Sequence, residues 1–152
     1  MGIDPGIHGA IACIHGAGVE VFDTPVFNIK GKDKPDLHGL HGLISRLAAI
    51  HEPSQCVIED VHSMPKQGVA SSFTFGHVAG ATQMAVVAAG IPLRMVPPAS
   101  WKRLMGLGRD KDESRRRASQ LYPAFAHLWP LKKHDGRAEA VLLAHYGRLT
   151  CS

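Results

Sequence analysis

Residues 1–9 read MGIDPGIHG, in which Asp4 closes a short apolar run and is followed by Pro5, Gly6 and Gly9. A carboxylate at the end of a strand costs desolvation unless something positive meets it, so the stretch asks for a metal ion or a basic side chain nearby. Two further β-forming segments follow, GAIACI at 9–14 and VEVFD at 19–23, separated by the glycine-bearing turn HGAG at 15–18. Three sequential strands joined by tight turns predict an antiparallel meander.

Outward from the meander the periodicity changes. The polar, lysine-rich stretch KGKDKPD at 30–36 reads as a loop. Leu37, Leu40, Leu43, Ile44, Leu47 and Ile50 then recur at helical spacing, with Pro35 and Asp36 ahead of them and Pro53 beyond, which predicts a helix over 37–50. CVIEDV at 56–61 is a buried strand carrying two acids, 68–89 a helix rich in glycine and alanine, and IPLRMVP at 91–97 a further strand bounded by prolines. Helices are expected over 112–121 and 135–146. The order βββαβαβ, then helices, predicts an α/β fold with a mixed five-stranded sheet flanked by helices, in one domain spanning 1–152.

In such a sheet the first and fourth strands return parallel and can be neighbours, so their carboxyl ends open on one edge, where ligands commonly bind. Asp4 and Glu59 end those strands. Adjacent strand residues face opposite sides, so Glu59 and Asp60 cannot both serve one site. Asp135 and Glu139, four apart, share a face of the last helix, while Ala138, Ala140, Val141, Leu142 and Ala144 suit packing on the sheet. Four converging carboxylates repel one another. Mg²⁺ removes that repulsion and prefers oxygen ligands, with Mn²⁺ as the alternative; two such ions about 4 Å apart can activate water and stabilise a leaving oxygen.

Composition narrows the setting. The chain is 45% hydrophobic and 20% charged, with no apolar run long enough to cross a bilayer, and its start lacks the basic n-region of a signal peptide. Cys13, Cys56 and Cys151 form no CxxC pair, so neither a disulfide framework nor a cysteine zinc site is indicated, and a cytoplasmic location is expected. The net charge of +4 is concentrated in the second half, at 102–103, 109–117 and 132–134, which suits a polyanionic partner.

GIDPG, VIEDVHSMPKQGVASSFTFGHVAGA, WKRLMGLGRDKDESRRRASQLYP and KKHDGRAEAVLLAHYG, in that order over nearly the whole chain, resemble RuvC-type Holliday junction resolvases, and most of all their compact phage-associated branch. The resemblance implies a ribonuclease H-like fold, a homodimer and Mg²⁺-dependent paired nicking of a four-way DNA junction in a bacterial or phage-infected cell. It implies metal ligands at Asp4, Glu59, Asp135 and Glu139, with His134 as an alternative ligand or base. Relatives often carry an aspartate three residues before the final acid, where this chain has Gly136.

Contacts to DNA are expected from the 64–77 loop and the basic clusters. Lys66 and Gln67 would sit near phosphates, Ser71 and Ser72 offer hydroxyls, and Phe73 is the better junction wedge, Phe75 being equally suited to a core. Lys102, Lys111, Arg115, Arg116 and Lys132 are the candidate backbone contacts, although Arg115 to Arg117 occupy nearly a whole helical turn and cannot all face one way. A four-way junction is two-fold symmetric, which a C2 dimer matches. The rival readings are an ATP-binding domain of the actin and sugar-kinase type, a catalytically silent branched-DNA binder, and a general nuclease. The first needs two lobes and gives no role to an acid pair on the last helix, so no nucleotide cofactor and no membrane partner are expected.

Overall fold

The computed structural model describes residues 1–16, 18–62, 68–108, 110 and 112–151. Strands β1 (Gly2–Asp4), β2 (Ala10–His15) and β3 (Gly18–Asp23) form the expected antiparallel meander. The chain then makes an exposed hairpin, β4 (Val26–Ile29) and β5 (Lys32–Pro35), before α1 (Leu37–His51). Strand β6 (Cys56–Glu59), α2 (Val69–Ala88) and β7 (Leu93–Val96) complete the crossovers, followed by α3 (Pro98–Met105), α4 (Asp112–Leu121), two 3₁₀ turns and α5 (Asp135–Thr150). The large sheet has the order β3-β2-β1-β6-β7, with β1–β6 and β6–β7 parallel.

The hairpin corrects the loop expected over 30–36. Lys30 and Gly31 both take positive φ, of 50° and 78°, in a two-residue turn, and Asn28 accepts the Gly31 N–H at 2.8 Å while donating to Asp33 at 2.9 Å. Its residues bury little, so no apolar alternation announces it. Helix α3 is also an addition. Pro98 opens it at its first position and Gly106, at φ 70°, closes it, the proline-first and glycine-last signature of a short helix.

Period-two alternation divides the core into two layers. Ile3, Ile11, Cys13, Cys56 and Ile58 face α1 and α2, against Leu40, Ile44, Leu47, Ala85 and Val86. Ala10, Ala12 and Val57 face α5, which buries Ala138, Ala140, Val141, Leu142 and Leu143 against them, with Trp101 of α3 and Ala118 of α4 in the same layer. Asp36 caps α1 through a 2.9 Å bond from Gly39 N–H, in the place its sequence position predicts. No helix of the described residues is long and apolar enough to cross a membrane.

Candidate active site

The same alternation builds the site. Gly2 pairs with Val57 and Ile3 with Ile58 in the parallel β1–β6 ladder, so Asp4 and Glu59 lie side by side at its carboxyl end. Counting by twos from Val57 puts Glu59 on the α5 layer, and Asp60 falls past the strand, 3.8 Å from His62. Glu139, one turn into α5, rises to meet them. Carboxylate oxygens of Asp4, Glu59 and Glu139 all lie within 4.8 Å of one another.

Each acid is held by its surroundings. Trp101 Nε1 donates to Glu59 Oε1 at 2.9 Å and Ser114 Oγ donates to Glu139 Oε1 at 3.0 Å, fixing two of the three side chains from α3 and α4. Lys102 Nζ stands 3.5 Å from Glu139 and 4.0 Å from Glu59, as the cation within the acidic group. Burial raises the Asp4 carboxyl well above its ordinary range, and the negative charges of Glu139, Glu59 and Asp135 add to the effect against Lys102. Burial also raises Glu59, while the Trp101 hydrogen bond and Lys102 pull it back. Two neighbouring carboxyls that resist ionisation mark a site short of positive charge. Three hard oxygen donors converging there fit a divalent cation.

Asp4 and Glu139 line a cavity of about 780 Å³, with Glu59 buried beside them, and its walls include Lys32, Asp33 and Lys34 of the β4–β5 hairpin on one side and Ser71, Thr74 and Phe75 of α2 on the other. Gly136 lets α5 dock this closely. A Cβ on it would lie 2.8 Å from Asp4 Oδ2 and 3.0 Å from the His8 carbonyl oxygen.

No protein-family model and no curated protein matches the sequence. Among solved structures, Thermus thermophilus RuvC aligns with a TM-score of 0.64 at 20% identity, covering 97% of this chain and 94% of the other. The same protein in complex with a Holliday junction substrate aligns with a TM-score of 0.66 at 21% identity, covering 97% and 93%. The chain has the RuvC fold. Its likeness to RuvC runs almost end to end, and the ribonuclease H-like architecture expected from the sequence is the one observed.

On this RuvC frame the sequence-predicted residues fall in distinct places. Asp4, Glu59 and Glu139 converge. Asp135 lines the same cavity, outside that trio, with its Oδ1 accepting the Gly136 N–H at 3.0 Å. His134 lines the neighbouring cavity with Asp23 and Arg137, and its Nδ1 accepts the Leu131 N–H at 3.3 Å. Partial desolvation and the nearby Arg137 and Lys133 charges lower its pKa.

Ser71 is exposed at the cavity wall, Ser72 is half-buried, and Phe73 is 76% exposed on α2, whereas Phe75 lies half-buried against the cavity. Arg115 is tied to Asp112 at 2.7 Å and to the Pro130 carbonyl at 3.2 Å, Arg116 faces Asp110 at 3.4 Å, and Lys132 is exposed. Lys66, Gln67 and Lys111 lie outside the described residues.

Sequence reasoning missed Ser114, the Trp101 bond and the two hairpin lysines. Lys102, expected at a DNA phosphate, points instead into the acids. No local sequence signal announces this, because only the fold shows that Trp101 beside it is fully buried.

Proposed function

We propose that this protein is a divalent-metal-dependent endonuclease that resolves four-way DNA junctions by paired, symmetric nicks. The observation that carries the reading is the convergence of Asp4, Glu59 and Glu139 within 4.8 Å at the carboxyl edge of a RuvC fold. Their oxygen-only donor set suits Mg²⁺ or Mn²⁺, and two such ions balance the four negative charges that include Asp135. When bound, the cations supply an acidified water and charge neutralisation at the scissile phosphate.

The protein's own residues do the positioning. Trp101 and Ser114 hold Glu59 and Glu139 in one rotamer each, so the ligand geometry exists before the substrate arrives. Lys102, 3.5 Å from Glu139 and 4.0 Å from Glu59, would be free to face a phosphate oxygen once those acids held a cation. Asp135, at the mouth, is placed to orient a water or complete the ligand set. His134, half-buried in the next cavity, is assigned no proton transfer in this reading.

DNA lies between the two walls of the cavity. Lys32 and Lys34 meet phosphates from the hairpin side, and Ser71 and the exposed ring of Phe73 approach from α2, Phe73 as the wedge that opens a junction step. Lys132 and Arg116 extend the contact along the outer arms. Two copies present two such sites to a two-fold substrate. The support for a dimer is a stripe on α2 formed by Gly76, Gly80, Met84 and Val87, all exposed, with open space above both glycines. Val78, Ala79, Thr82, Ala85 and Val86 of the same helix pack inward.

The test is cleavage of an end-labelled four-way junction beside a linear duplex of the same sequence, with Mg²⁺ and with EDTA. Paired nicks in the junction alone, lost in EDTA, are expected. Equal cutting of both substrates would make the protein a general nuclease, and binding without cutting would make it a silent binder.

A further inference from the structure

A second group of ligating side chains stands at the opposite end of the sheet from Asp4. Strand β2 pairs Ala10 with Asp4 at one end and runs to His15 at the other, where His15 pairs with Gly18 across the β2–β3 turn. Glu20 lies on β3 and His51 closes α1. One ligand atom from each of His15, Glu20 and His51 falls within 4.8 Å of the other two. His51 Nε2 is 3.0 Å and His15 Nε2 3.4 Å from the same oxygen, Glu20 Oε1.

These separations are close to those between ligands on one ion. Four donors at zinc bond lengths of about 2.0–2.2 Å stand about 3.3–3.6 Å apart in a tetrahedron. Two imidazoles and a carboxylate are the donors of zinc-class cations, and unlike the all-oxygen group at Asp4 they do not suit Mg²⁺. Gly18 leaves room for the ring beside it: a Cβ there would fall 2.6 Å from His15 Cε1 and 2.9 Å from its Nε2.

The two imidazoles stack with centroids 4.2 Å apart and planes 14° from parallel. Ligation requires them to splay, and His15, with 39% of its side chain exposed against 9% for His51, is the ring free to turn. The exposed side leaves a fourth position for water.

We propose that His15, Glu20 and His51 form a second metal site for a zinc-class divalent cation, tying the β2–β3 hairpin to the end of α1. Its role is to cross-link segments far apart in the chain, and it is independent of the nuclease reading. The test is titration of the full chain with Co²⁺ in excess Mg²⁺, which occupies oxygen-only ligands. The expected result is the intense visible absorption of four-coordinate Co²⁺, saturating at one equivalent and displaced by Zn²⁺.

His15→Ala and Glu20→Gln should each weaken that binding by at least about tenfold. Both residues are partly exposed, so their metal-free thermal melts should match the parent and separate ligand loss from misfolding. Asp4→Asn should leave the absorption intact. Weak six-coordinate absorption alone, intense absorption that survives His15→Ala, or absorption lost with Asp4→Asn would each overturn the assignment.

Discussion

The floor and the rim of the same cavity are held by different physics. Asp4, Glu59 and Glu139 stand on β1, β6 and α5, which pack on one another at the edge of the α5 layer, and partners from α3 and α4 fix two of them. The rim is the β4–β5 hairpin, with every residue of β4 exposed, and the first turns of α2, with Val69 and Phe73 exposed. The floor is over-determined by packing, and local turn chemistry alone sets the rim. Groups that must keep sub-ångström geometry sit where the core fixes them, and groups that must follow a bulky polyanion sit where the backbone can give.

The sharpest way to break this contrast is to disturb the floor without changing its charge. Gly136→Ala places a methyl group 2.8 Å from Asp4 Oδ2 and 3.0 Å from the His8 carbonyl. Junction cleavage should fall by about 100-fold through misplacement of Asp4, while junction binding stays within a few-fold, as read by single-turnover nicking and a binding titration. Cleavage at the parental rate would mean that the floor is as pliable as the rim.

Acidity separates the regions next. Because burial and like charges raise Asp4 and Glu59 in the folded protein, the folded state holds protons that the unfolded chain has released. Their contribution to metal-free stability is therefore fully present below the ordinary carboxylate range near about pH 4 and is lost as pH rises through the raised values. Thermal melts from pH 5 to 8 should show the metal-free protein losing this stability and the gain on adding Mg²⁺ growing, because the cation binds the deprotonated pair. A Mg²⁺ increment that shrinks over that range would contradict the assignment.

The smallest effects belong to the rim. Lys32→Ala and Lys34→Ala should each weaken junction binding a few-fold and lower the slope of log affinity against log salt by about 0.9, with nicking at saturation unchanged. An unchanged slope would remove the hairpin from the DNA path.

The same contrast accounts for what could be read in the sequence. The floor was legible because burial leaves a pattern: the continuous apolar run that carries Glu59 and the four-residue spacing of Asp135 and Glu139 follow from which elements pack. Spacing alone left Glu59 and Asp60 open and the family resemblance pointed to Glu59; the register of β6 against β1 and β7 puts that residue on the α5 layer. The hairpin was illegible since exposed strands carry no apolar signal and Lys-Gly is a weak turn dipeptide. Lys102 read as a surface cation because nothing local reveals that the tryptophan beside it is fully buried and carries it to the acids.

The central claim is that the three converging carboxylates hold the metal that nicks a junction. It is tested most directly by comparing the parent and Asp4→Asn on a labelled four-way junction, both at saturating protein and in Mg²⁺. The account predicts symmetric paired nicks by the parent and at least a 1,000-fold slower rate for Asp4→Asn, on the order of the loss of one essential electrostatic group, with junction binding nearly unchanged. Full cutting by Asp4→Asn would contradict it.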